Sequence, residues 1–171
     1  MRPSCGPGVS ESDARKYGWT KPDLKMTWKD IADASKAGKL NYAISNPATS
    51  NQGFMALMGV VASAAQKSEA LTAADVDRAA ISGFIKGYKL VGDNSSYLSE
   101  KFIEQQNTRV NAFINYESWL LSLNQSGKRP HLIVIRPDDH IVQRISQRCI
   151  NQQAQLLGIN LVLPASVPDL F

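Results

Sequence analysis

Apolar positions along the chain fall into distinct patterns, and each pattern predicts a different element. Trp28, Ile31, Ala32 and Ala34 stand at helical spacing behind Thr27-Trp28-Lys29-Asp30, a run with the Ser/Thr-x-x-Asp/Glu form of a capping box, so a helix is predicted from there to Gly38. Leu40, Tyr42 and Ile44 then alternate with Asn41, Ala43 and Ser45 over the length of a strand, which opens into the polar run 45–53. Residues 54–65 are apolar on nearly every side, as in a helix covered on most faces. Thr72-Ala73-Ala74-Asp75 repeats the capping-box form, and Val76, Ala79, Ala80 and Phe84 follow as a stripe, predicting a peripheral helix. Lys89-Leu90-Val91 is a short strand leading into Gly92-Asp93-Asn94-Ser95-Ser96, with Tyr97, Leu98, Phe102 and Ile103 marking the helix beyond. A third strand at 112–116 runs straight into a helix at 117–123, and a fourth at 131–135 is apolar throughout and therefore expected to be buried on both faces. Strands alternating with helices predict an α/β fold, a three-layer sandwich with a mostly parallel central sheet.

The two ends of the chain break this rhythm. The Pro/Gly-rich opening up to Val9 is expected to be irregular, followed by a short helix over 11–17 that stops at Gly18. Beyond Asp139, Arg144, Gln147, Arg148, Gln152, Gln153 and Gln155 interrupt apolar residues whose helical spacing is loose. A strand is expected at 159–163. The predicted organisation is therefore a domain over 1–139 and a divergent C-terminal tail over 140–171, loosely packed.

Composition narrows the class. A chain of 171 residues that is 43% hydrophobic and 20% charged has the balance of a globular domain and not of a disordered polyelectrolyte. No apolar run approaches the roughly 18 to 20 residues of a membrane span. Cys5 and Cys149 have no C-x-x-C spacing and no neighbouring histidine, so no metal site is indicated, while one long-range disulfide stays open. The net charge of +4 comes from 19 basic and 15 acidic residues scattered along the chain, and nucleic acid, which requires clustered basic residues, is not an expected partner. The first eight residues hold no apolar stretch, so no secretory signal is read there; with Met1 as the native start the expected location is cytoplasmic.

Candidate chemistry lies where strands meet helices. In open α/β sheets ligands sit beyond the carboxyl ends of the strands, where helix N-termini present free N–H groups. One such end holds Ser45, Asn46, Thr49, Ser50, Asn51 and Gly53, offering hydroxyls, amides and a glycine for close approach to an oxygen-rich ligand. A second holds Asp93, Asn94, Ser95 and Ser96, and a third Asn115, Tyr116 and Glu117. The same residues also serve plain structural purposes: Thr49, Ser50 and Asn51 as helix caps, Asp93 to Ser96 as a turn and cap, Tyr116 as a wall, Glu117 as partner to a helix dipole. No G-x-x-x-x-G-K-[ST] run is present, and His131 and His140 flank a strand without a serine or cysteine elbow, so neither catalysis nor a cofactor is expected.

Trp28-x-x-Ile31, the strand at 40–44, the string Ser45-Asn46-Pro47-Ala48-Thr49-Ser50-Asn51-Gln52-Gly53-Phe54, and Ala112-Phe113-Ile114-Asn115-Tyr116-Glu117-Ser118-x-Leu120-Leu121 together resemble bacterial type II periplasmic solute-binding proteins. The similarity runs over roughly residues 18–137 and is greatest to the phosphate, sulfate and molybdate-like branch, in particular to the solute-binding portion of proteins that also carry a von Willebrand factor A domain. The resemblance implies two α/β lobes joined by hinge strands, a ligand gripped between them by helix N-termini, an extracytoplasmic location and membrane transporter subunits as partners. Asn46, Thr49, Ser50 and Asn51 fall where the second lobe would meet ligand, with Ser95, Ser96 and Tyr116 beside them. The chain departs from the family in lacking a signal peptide and first lobe and in its Gln/Arg-rich tail, so it is expected to be a second lobe alone, from a truncated or frame-shifted gene. The implied function is a binding lobe for a small oxyanion or polar solute; the alternative is a scaffold that pairs as a homodimer or with another chain through surface the absent lobe leaves bare.

Overall fold

The computed structural model describes residues 5–67, 71–106, 108–127 and 131–138. Helix starts obey local capping chemistry. Ser10 accepts the Asp13 N–H at the head of α1 (Glu11–Lys16), which ends at Gly18 with φ +74°. At α2 (Trp28–Lys36) the expected box is closed: Thr27 Oγ1 accepts the Asp30 N–H at 3.1 Å and Asp30 Oδ2 accepts the Thr27 N–H at 2.8 Å. The second box, Thr72 with Asp75, also closes but opens only a single 3₁₀ turn, Ala73–Asp75. The helix expected from that box, α4 (Arg78–Lys86), starts later, at Asp77, whose carboxylate accepts the N–H groups of Ala79 and Ala80 at 2.8 and 3.1 Å. A cap satisfies only the first turn; continuation depends on the residues beyond it, and Val76 and Asp77 are extended here.

The remaining helices are α3 (Asn51–Ala65), α5 (Ser95–Gln105) and α6 (Glu117–Gln125), and the strands are β1 (Cys5–Ser10), β2 (Tyr42–Ser45), β3 (Tyr88–Gly92), β4 (Ala112–Tyr116) and β5 (Leu132–Val134). They form one sheet in the order β3-β2-β4-β1-β5. β2 lies parallel to β3 and to β4, but β1 pairs antiparallel with both β4 and β5, Cys5 standing opposite Tyr116 and Gly8 opposite Val134. The sheet is therefore mixed, which corrects the mostly parallel arrangement expected. The cause is the opening segment, which is a strand and not irregular coil. Its glycines permit close packing: a Cβ on Gly6 would stand 2.4 Å from the Ile135 carbonyl oxygen. Pro7, which has no N–H to give, still accepts the Ile135 N–H at 2.9 Å.

Helices cover both faces. Val9, Tyr42, Ile44, Ala112 and Ile114 bury against Trp28, Ile31, Leu57, Val60 and Phe84 from α2, α3 and α4, while Ala43, Phe113 and Leu132 pack on the other face against Leu98, Phe102, Leu120 and Leu123 from α5 and α6. α3 is buried from Gln52 to Ala62, as its uniformly apolar sequence predicts. β5 was expected to be covered on both faces; it is an edge strand instead, with Ile133 and Val134 only half-buried. An edge strand keeps one flank open however apolar its residues are. No helix among the described residues is long and apolar enough to cross a membrane. The tail over 140–171, with Cys149, His140 and the strand expected at 159–163, lies outside the described residues.

Candidate functional site

The carboxyl ends of β2, β3 and β4 share one edge of the sheet, and because β1 runs the other way Cys5 stands at that edge too, beside Tyr116. α3 begins directly on top of β2. A Cβ on Gly53 would fall 2.1 Å from the Ser45 carbonyl oxygen and 2.9 Å from the Pro47 nitrogen, so only glycine lets the first helical turn sit this low. Asn46 shapes the approach: its Oδ1 accepts the Ala48 N–H at 3.0 Å and its carbonyl accepts the Ser50 N–H at 2.8 Å. Ser50 occupies the N-cap position but makes no side-chain capping bond, and no acidic residue lies in the first turn of α3. The free N–H groups at this helix start, with the positive end of its dipole, are thus left without either usual internal partner.

Two cross-links hold neighbouring loops around this opening. Thr49 Oγ1 donates to Asp93 Oδ1 at 2.5 Å, and Asn51 Nδ2 donates to the Tyr116 hydroxyl at 3.1 Å. Thr49 gives its proton to Asp93 and so offers a further ligand only lone pairs, while the Tyr116 hydroxyl accepts from Asn51. Asn46, Thr49, Ser50, Asn51 and Tyr116 are brought together in this way.

Ser95 and Ser96 stand in the first turn of α5. Asn94 Oδ1 accepts the N–H groups of Ser96 and Tyr97 at 2.8 and 3.2 Å, so α5 caps itself, and the Ser95 carbonyl accepts the Ser99 hydroxyl at 2.8 Å. Ser96 faces a groove between α5 and α6, on the side of the sheet away from α3. α6, like α3, has no side-chain cap, but Glu117 places a carboxylate in its first turn, where Arg136 Nε donates to it at 3.0 Å.

Beneath the opening lie buried polar groups, of which Ser45 and Asn115 were read from the sequence as strand-end candidates and Gln52 was not. Gln52 is 3% exposed; its Nε2 donates to the Ile114 carbonyl at 3.0 Å and reaches the Cys5 sulfur at 3.6 Å. Burial pushes the Cys5 thiol up to about 12, against the opposing pull of the Gln52 bond. Gln52 Oε1, Ser45 Oγ and Asn115 Nδ2 have no hydrogen-bond partner among the described residues. The available signal for Gln52 was weak: a glutamine in the first turn of a largely apolar helix. Asp93, read from the sequence as part of the second strand end, is placed by its bond from Thr49 at this opening. No group of three His, Cys, Asp or Glu side chains among the described residues is placed to hold a metal ion. The chemistry on offer at the edge is an exchange of hydrogen bonds. No family model matches this chain, and no curated protein does.

Proposed function

We propose that the chain is a non-catalytic binding lobe for a small oxygen-rich or anionic solute, one lobe of a type II periplasmic-binding-protein fold serving transport or sensing. The observation that carries this reading is the open start of α3: among the helices meeting the carboxyl edge, α5 is capped by Asn94 and α6 carries Glu117, while α3 has neither a side-chain cap nor a first-turn acid. An acceptor oxygen from a solute would supply the missing partner there, next to Ser50 and Asn51. The course of β1 and β5 supports the two-lobed reading, because β1 enters and β5 leaves the sheet at this same edge, where hinge strands would bring a second lobe over the solute.

Calorimetric titration with sulfate, phosphate, molybdate and small organic anions tests the proposal. One lobe supplies only part of the enclosure that buries about 70 to 90% of a ligand in a closed pocket, so millimolar affinity is expected. Ser50→Ala should weaken binding about two- to tenfold, the scale of one hydrogen bond, yet leave the melting temperature unchanged because Ser50 caps nothing. Saturable binding indifferent to Ser50→Ala, or no saturable heat from any of these solutes, would contradict it.

The alternative, a self-associating or partner-binding scaffold, rests on the apolar residues left open around the β3 edge: Ile85, Val91 and Tyr97 are 50%, 46% and 53% exposed. Exposed Lys89 and the register shift between β2 and β3 blunt that edge for strand pairing. Under this reading sedimentation gives a dimer at high micromolar concentration; a monomer there contradicts it.

A further inference from the structure

α5 and α6 lie side by side on one face of the sheet, and their facing residues do not close the seam between them. Ser96, Glu100 and Ile103 from α5 and Trp119, Ser122 and Leu123 from α6 line a cavity of about 260 Å³. Small hydroxyl side chains stand where large apolar ones would be needed to fill it. Trp119 is held in place: its Nε1 donates at 2.9 Å to Ser99 Oγ, which is fixed in turn by donating to the Ser95 carbonyl at 2.8 Å. The indole is nevertheless 39% exposed. Glu100 supplies the one formal charge among the lining residues and takes part in none of the ion pairs among the described residues, its neighbour Lys101 pairing with Glu104 instead.

We propose that this groove is a second binding site, for a small organic cation: a primary ammonium or guanidinium group on a short apolar stem. An anchored indole attracts a cation through its ring electrons, and an unpaired carboxylate beside it supplies the matching charge. Ile103 and Leu123 give the stem apolar walls, and the hydroxyls of Ser96 and Ser122 accept from the cationic head. The volume falls below the roughly 300 to 1,000 Å³ of drug-sized pockets, which fits a ligand of a few heavy atoms. The site opens away from α3, so it does not depend on the function proposed above.

The test tracks the Trp119 indole N–H signal by NMR in the full chain labelled with ¹⁵N, assigned by its loss in Trp119→Phe, while n-butylammonium, n-butylguanidinium and n-butanol are added in turn. The cations should shift that signal saturably while those of Trp19 and Trp28 stay in place, and n-butanol should bind more weakly. Glu100→Gln should weaken cation binding about fivefold, the scale of one exposed charge contact, with no change in melting temperature. Equal shifts from n-butanol and n-butylammonium, shifts of all three indoles alike, an unsaturable response, or binding untouched by Glu100→Gln would overturn the proposal.

Discussion

Cys5 and Asp75 show how strongly local surroundings set the behaviour of single groups. Burial holds the Cys5 thiol protonated, with its titration moved up to about 12. In the unfolded chain a thiol titrates near about 8.5. Because the folded value is raised, the stability this contributes is fully present below the unfolded value and is lost as pH rises toward about 12. At pH 8 alkylation of Cys5 in the native protein, monitored through the mass of its peptide, should run at least on the order of a hundredfold slower than in denaturant; equal rates would show the thiol is not buried. Asp75 moves the other way: the hydrogen bond from Lys67, then those from Thr72, lower its carboxyl from 3.8 to about 2. Its contribution is present above the unfolded value and disappears as pH falls through about 2. A carboxyl titration by NMR should place its midpoint there, and a midpoint near the ordinary carboxylate value would mean that neither the Lys67 bond nor the Thr72–Asp75 box holds in solution.

Among the elements, α3 carries the consequence for function. Gly53→Ala puts a methyl group against the Ser45 carbonyl and the Pro47 nitrogen, backbone atoms that cannot swing aside. Destabilisation of about 1 to 3 kcal/mol is expected, together with loss of solute binding, since the helix start must lift off β2. A denaturation midpoint equal to wild type would show that the close contact relaxes freely. Much of this element was legible in the sequence, because the polar run 45–53 and the uniformly apolar 54–65 are both local signals. α2 was legible for the same reason: Thr27 and Asp30 are three residues apart and close the capping box between themselves. β1 was not. Gly6, Pro7 and Gly8 are poor strand formers by themselves, and their pairing is set by Ile135 and by β4, more than a hundred residues along the chain. The placement of Ser96 was hidden likewise. Its spacing marks a helix start, but whether a side chain there faces the α3 opening or the α5/α6 groove depends on how α5 lies on the sheet.

For the whole molecule, one strand of opposite direction changes the layout: β1, inserted between β4 and β5, makes the sheet mixed and brings Cys5 beneath the opening formed by α3, β3 and β4. Alternating strands and helices announced the α/β layering, whereas strand order and direction depend on pairings that no local pattern encodes. The central claim is that a small solute meets the protein at the start of α3. Amide shifts of the full chain recorded by NMR during titration with sulfate, phosphate and small organic anions test it most directly, since millimolar binding is enough to be seen. The account predicts saturable shifts at Ser50, Asn51, Gln52 and Gly53, with smaller ones at Thr49 and Tyr116 and none along α3 from Met55 to Ala65. Shifts that leave Ser50 to Gly53 unmoved, or that spread evenly over the exposed lysines, would contradict it.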